Sequence, residues 1–431
     1  MKFNSLFSPE LIKLALPIVL SNWVYALQSF LTLLLVSPLG EEVIAGVGFA
    51  STLLWLVYGI DEVVYTGTAV LVARRVGRGE RAGRFVLYAL ALSVAVSAVV
   101  WAGGGKFLEV FCRVFGVEEG VERVIKEFFK PVELFLPLIL AANGLNAVFN
   151  GAGRTKVIFQ ATVVAVAVNL GLLALLVERL GAFGAGVAFG VAESSAAVYY
   201  LFRAVKEEVL TPLKDFRFSV EEVLRLIRVG LPAGVEEGLS SLSFNLFSGL
   251  VATCGTAALA GYQIGLRVEG VAVAVGFALM DASLPFVGQA KGEEVKRRVE
   301  ELSRSALSLG VVLGAVLVGL APVAGKVFTG EEEVRRWAEV YLFLAGLSQP
   351  GFNLAMALSG ALRALEETAK AAAVNIGSFW IFRLIPSWAV LRLVKSPLVP
   401  WGFMVVETVL RAAVLKAVVE RSLRKFKGGA L

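Results

Sequence analysis

Apolar runs of about 20 residues recur along the whole chain, separated by short clusters of Gly, Pro, Lys and Arg. A helix rises ~1.5 Å per residue and the hydrocarbon of a bilayer is ~30 Å thick, so each run has the length of one crossing. Twelve helices are predicted: 11–37, 43–73, 85–105, 128–149, 156–177 and 182–203, then 226–252, 257–289, 302–325, 338–362, 370–393 and 397–418. The breaks carry turn residues: Ser37-Pro38-Leu39-Gly40, Gly103-Gly104-Gly105, Gly151-Ala152-Gly153, and Ser396-Pro397 with Pro400. The segments 106–126 and 326–336 are expected as the larger loops of one face, folded as surface helices. The pattern predicts an all-α, polytopic membrane protein.

The pattern also repeats. Ala15-Leu16-Pro17 matches Gly230-Leu231-Pro232 at an offset of 215, and Gly40 and Ala45-Gly46 meet Gly255 and Ala260-Gly261 at the same offset. Arg78-Gly79-Glu80 meets Lys291-Gly292-Glu293 at 213, Thr155 meets Thr368 at 213, and Glu193 meets Glu407 at 214. Six helices followed by six more in the same direction predict two lobes related by a pseudo-twofold axis along the membrane normal. The expected boundaries are a first lobe at 1–205, a charged linker containing Pro212 at 206–225, and a second lobe at 226–431.

Composition narrows the class. The chain of 431 residues is 57% hydrophobic with a mean hydropathy of +0.78, far beyond what a soluble core needs. Its net charge of +6 is no nucleic-acid signal, because 28 of the 41 Lys and Arg residues fall on one face of the predicted bundle. That face is expected to be cytoplasmic and to hold both termini. Met1-Lys2-Phe3 leads into a long first span, so no cleavable signal is expected. Cys112 and Cys254 make no disulfide framework and no metal cluster. Histidine is absent, so any proton chemistry falls to carboxylates. The abundance of Val, Glu and Arg leans towards a thermophile.

The motifs resemble those of the multidrug and toxic compound extrusion (MATE) family, within a superfamily that includes lipid-linked oligosaccharide flippases. The resemblance rests on Ala15-Leu16-Pro17, Leu39-Gly40 with Ala45-Gly46, Leu71-Val72-Ala73-Arg74 with Gly77-Arg78-Gly79, and Asn150-Gly151-Ala152-Gly153-Arg154-Thr155-Lys156. In the second half it rests on Gly230-Leu231-Pro232, Gly255 with Ala260, Val287-Gly288-Gln289 with Gly292, and Arg383 with Pro386. It implies a twelve-helix antiporter of a prokaryotic plasma membrane, monomeric, that expels organic, often cationic, solutes in exchange for H⁺ or Na⁺. It departs where many members carry acids: those places are Thr32, Leu173 and Ser240 here.

A carboxylate inside the hydrocarbon costs on the order of 3 kcal/mol, so each must pair, meet water or titrate, and each is a candidate site. Asp61 and Tyr65 share one face of the second helix, while Tyr58, Glu62 and Thr66 form another stripe; the structural alternative is capping of a break at Gly59. Glu236 and Glu237 follow Pro232 by one turn, with an ion pair to Arg228 as the alternative. Asp281 has no base within four residues, and neither does Glu193. Glu407 has Arg411 four residues on, Glu133 has Lys130, and Arg383 is expected to counter an acid of the second lobe; these read as structural. Arg267 and Glu269 each need another helix for a partner. Asn22, Gln28, Asn245 and Gln263, with Asn143, Asn146, Asn169 and Asn353, are possible cavity lining or interhelical glue. Gly77-Arg78-Gly79 and Gly151-Ala152-Gly153 follow no strand, so they are turns rather than phosphate cradles.

The expected function is a cation-coupled transporter of small organic solutes. It needs a lipid bilayer, no cofactor beyond the coupling ion, and no nucleic acid. A flippase for lipid-linked oligosaccharides is the alternative, although acids outnumber bases within the spans. An enzyme is disfavoured by the absence of histidine and of any soluble catalytic domain.

Overall fold

The structure is a computed structural model that describes residues 8–114, 116–207 and 218–426. Among these residues twelve helices follow the apolar runs in order. The first four are α1 (Pro9–Val36), α2 (Glu41–Gly77), α3 (Arg84–Val114) and α4 (Glu119–Gly151). One run, Thr155–Lys206, breaks its helical geometry at Gly181 (φ 54°) and so makes two crossings, α5 (155–180) and α6 (182–206). Then come α7 (Val220–Ala252), α8 (Thr256–Gly288), α9 (Glu293–Phe328) and α10 (Glu332–Ala364). The last two are α11 (Thr368–Leu391), which holds a π-helical turn at Phe379–Leu384, and α12 (Leu398–Phe426). Most of the charged linker lies outside the described residues.

Two local expectations are corrected. Gly103-Gly104-Gly105 does not end a helix, because α3 runs through it to Val114. A glycine costs a helix about 1 kcal/mol, less than leaving backbone groups open in lipid. The segments 106–126 and 326–336 do not form separate surface helices. They prolong α3, α4, α9 and α10 beyond the apolar runs, with charged turns held by pairs such as Lys126–Glu122 at 2.6 Å. The break imagined at Gly59 is also absent, since α2 is continuous.

The repeat is visible in the backbone. Left-handed residues recur at the same offsets: Gly40 (φ 102°) with Gly255 (120°), Gly79 (78°) with Gly292 (54°), and Gly153 (72°) with Glu366 (61°). The chain groups into two units, Leu20–Gly234 and Val235 onward with the chain as far as Val19. Thus α1 changes unit after Val19 and α7 after Gly234, each two residues past its proline and at equivalent repeat positions. Each unit therefore takes the opening turns of the other half's first helix, whereas the boundaries 205 and 226 follow only the connectivity.

Close backbone contact fixes the opening turns of α7 in the first unit. A Cβ on Gly230 would lie 1.8 Å from the Val63 carbonyl oxygen of α2, so only glycine fits. At the start of α7, Glu222 accepts hydrogen bonds from Arg75 and, at 3.1 Å each, from Arg84 and Tyr88. The second unit is built on α8, α9, α10 and α12 around an aromatic cluster of Phe247, Tyr262, Tyr341 and Trp401.

Candidate functional site

The second unit pairs two of its buried acids with arginine and holds a third with neutral donors. Glu236, in α7, accepts from Arg363 of α10 at 3.0 Å and from Asn375 of α11 at 2.6 Å, and Asn375 also meets Ser359. The expected partner Arg228 is not the one used. Glu407 of α12 is fully buried between Arg411, whose Nε lies 3.1 Å away, and Arg383. Arg383 stands in the π-helical turn of α11 with its guanidinium 4.4 Å from the Phe379 ring centroid and 5.4 Å from that of Phe247. Glu269 of α8 accepts from Tyr341 at 2.5 Å and Gln349 at 3.2 Å, both on α10. The reading of Glu407 and Arg383 as structural groups is consistent with this geometry.

The first unit holds acids differently. Asp61 of α2 is fully buried; one carboxylate oxygen accepts from Asn143 of α4 at 2.7 Å and the other is buried without a hydrogen-bond partner. The next residue, Glu62, accepts from Thr66 at 2.5 Å. One turn on, Tyr65 accepts from Asn150 at 3.1 Å. Glu193 of α6 is half-buried, with Tyr25 of α1, Tyr58 of α2 and Tyr200 close enough for electrostatic interaction. Tyr25 also hydrogen-bonds Thr162 of α5. Among the described residues neither Asp61 nor Glu193 has an ion pair with Lys or Arg.

The repeat makes this contrast sharp. At the single offset of 214, Glu193 corresponds to Glu407, Asn169 to Arg383 and Ala197 to Arg411. The acid is kept in both halves, but both arginines that neutralise it in the second are replaced in the first. The side-chain oxygen of Asn169 is buried without a hydrogen-bond partner. Leu173, where the resemblance leads one to expect an acid, packs in an apolar cluster with Phe128 and Val177.

The remaining predicted positions are scattered. Glu237 is half-buried, within electrostatic reach of Arg363 and Glu236, and Asp281 is half-buried near the end of α8. Asn22 and Gln28 are part-buried in α1, and the Gln28 side-chain oxygen has no hydrogen-bond partner. Asn245 is exposed and donates to the Ser241 carbonyl of its own helix, and Gln263 is exposed. Tyr25, Thr162, Tyr341, Gln349, Ser359 and Asn375 were not singled out from the sequence. Each is a common residue type whose partner lies on another helix, so no local spacing marks it.

Comparison with known proteins agrees with the architecture. The MatE family model matches residues 17–175 and again 232–389, one match in each half of the repeat. A protein of Thermotoga maritima named as a probable multidrug resistance protein, NorM, is 22% identical over 419 residues, covering 94% of this chain and 90% of that one. A superfamily transporter from Pyrococcus furiosus, whose structure is described as having a binding pocket of reverse polarity, superposes with a TM-score of 0.87 at 19% identity, covering 97% of this chain and 96% of its own. The outward-facing structure of a multidrug resistance transporter gives the same score at 18% identity and 96% coverage of each chain. Twelve helices in two six-helix lobes are the common fold. The chain belongs to the MatE family and is a membrane-spanning transport protein, not an enzyme.

Proposed function

We propose that this protein exports small organic cations in exchange for an inward-moving H⁺ or Na⁺, and that Asp61 and Glu193 of the first lobe carry the coupling ion. The observation behind this reading is the repeat contrast: Glu407 lies between two arginines, while its counterpart Glu193 has Asn169 and Ala197 in their places. A carboxylate without a counterion inside a bilayer is held at a cost, and binding a cation relieves it. Coupling then requires only that ion and solute differ in affinity for the two states of the transporter. Glu236 leaves the group of leading candidates because Arg363 and Asn375 already satisfy it.

The asymmetry of Lys and Arg supports a reading with both termini in the cytoplasm and export running outward across the plasma membrane. The uncompensated acids of the first lobe favour cationic cargo. The names of the relatives, multidrug resistance proteins, support an organic solute. Ethidium efflux from proteoliposomes, with pH and Na⁺ gradients imposed separately, tests the reading. Efflux driven by either gradient supports it and names the ion. A folded, correctly oriented protein that responds to neither contradicts it.

A further inference from the structure

The seam between α2 and α4 carries more polar groups than packing requires. On α2, Asp61, Tyr65 and Thr68 follow one another at i, i+4 and i+7, and on α4 Asn143, Asn146 and Asn150 do so at i, i+3 and i+7. Two rungs join the helices, Asn143 to Asp61 at 2.7 Å and Asn150 to Tyr65 at 3.1 Å. Asn146 falls between them. Its side-chain oxygen and the second oxygen of Asp61 are both buried without a hydrogen-bond partner. Interhelical glue is paired; here the Thr68 hydroxyl is likewise buried without a hydrogen-bond partner, and the Asp61 and Asn146 oxygens are acceptors, one of them on a fully buried carboxylate.

In the equivalent seam of the second lobe the Asn353 side-chain oxygen is also buried without a hydrogen-bond partner, but the carboxylate differs. Between α8 and α10, Glu269 uses both oxygens, accepting from Tyr341 and Gln349, and Asn353 donates to the carbonyl and side-chain oxygens of Gln349. No oxygen of that carboxylate is left over. In the first lobe no hydroxyl takes the place of Tyr341 at the second oxygen of Asp61.

We propose that the α2–α4 seam holds one sodium ion, with Oδ1 of Asp61 and Oδ1 of Asn146 as its protein ligands. The inference rests on the reading of Asp61 as a coupling group and assigns the ion. Carboxylate and amide oxygens without competing donors are the ligand set of a hard cation. A single carboxylate charge balances a monovalent ion, and among the described residues no cluster of three or more acidic, Cys or His side chains offers a site for a metal of higher charge. Glu62 is taken up by Thr66. Below the Tyr65–Asn150 rung the helices close, since a Cβ on Gly151 would lie 2.4 Å from the Ala69 carbonyl oxygen. The ligands stand on α2 and α4, whereas Thr32 and Leu173, where the resemblance leads one to expect acids, stand on α1 and α5.

The experiment is equilibrium binding of ²²Na⁺ to the purified full chain in detergent, with unlabelled NaCl as competitor and KCl holding the ionic strength. The expected result is saturable binding that is at least tenfold weaker in Asn146→Ala, lost in Asp61→Asn, and unchanged in Thr253→Ala, an exposed site at the end of α7. Asn146→Asp adds a second carboxylate and is expected to tighten binding and admit Ca²⁺, a gain that a misfolded variant cannot produce. No saturable ²²Na⁺ binding by the wild type, or an Asn146→Ala variant that binds as the wild type does, overturns the site. Proton-driven ethidium efflux without ²²Na⁺ binding would remove this site and leave the export reading. Binding that follows Asn146 without efflux under any gradient would do the reverse.

Discussion

Glu236 of α7 and Arg363 of α10 form an ion pair of 3.0 Å across 127 residues of sequence, both almost fully buried. Removing one partner strands a charge. Arg363→Met is expected to cost about 3–5 kcal/mol, while the double variant Glu236→Gln/Arg363→Met recovers much of the loss. Thermal unfolding of the purified protein in detergent checks this. Equal losses in the single and double variants would show that the two residues do not act as a pair.

Gly230 has no space for a methyl group, because the obstacle is the Val63 backbone oxygen rather than a side chain that can turn. Gly230→Ala is expected to destabilise by about 3 kcal/mol, the upper end of overpacking costs. Gly238 has nothing within 4 Å, so Gly238→Ala should be neutral or stabilising by up to about 1 kcal/mol. Melting temperatures of the two variants side by side decide the point.

Glu366 holds a left-handed conformation (φ 61°) at the turn where the first half has Gly153. A non-glycine residue there is strained by about 1 kcal/mol. Glu366→Gly is expected to raise the melting temperature, and Gly153→Glu to lower it. A fall in the first variant would mean that the glutamate side chain contributes more than its backbone costs.

Glu222, outside the apolar span of α7, gives a pH dependence. Its partial burial raises the carboxyl, but hydrogen bonds and charge from Arg75 and Arg84 outweigh it and hold the group below the ordinary carboxylate range. A carboxyl depressed in the folded state contributes stability above its unfolded value, near 4.3 for Glu, and loses it as the pH falls through the folded value. Acid unfolding of the wild type should therefore steepen below about pH 4. Glu222→Gln should be less stable at neutral pH and flatter in acid. Parallel curves would show that the cluster does not contribute.

The helices were legible because lipid imposes one length and one polarity on every crossing; the break at Gly181 separates α5 from α6 within the gap left between 177 and 182. Helix ends were less legible, since charged turns outside the apolar runs continue the same helices instead of starting new ones. Asp61 and Glu193 stood out by the cost of charge in hydrocarbon. The Glu407–Arg411 pair could be found at i+4, but Arg363 as the partner of Glu236, and Asn143, 82 residues from Asp61, needed three dimensions. The correspondence of Asn169 with Arg383 was present in the repeat offset and gained meaning only once Arg383 was seen against Glu407.

The most direct test compares Glu193→Gln with Glu407→Gln for gradient-driven ethidium efflux, with melting temperature measured on the same preparations. Glu193→Gln is expected to melt like the wild type and to lose efflux coupled to the ion gradient. Glu407→Gln is expected to melt lower, leaving Arg383 and Arg411 without their shared carboxylate, while the folded fraction still couples. A Glu193→Gln protein that exports ethidium as the wild type does would contradict the assignment of coupling to the uncompensated acid of the first lobe.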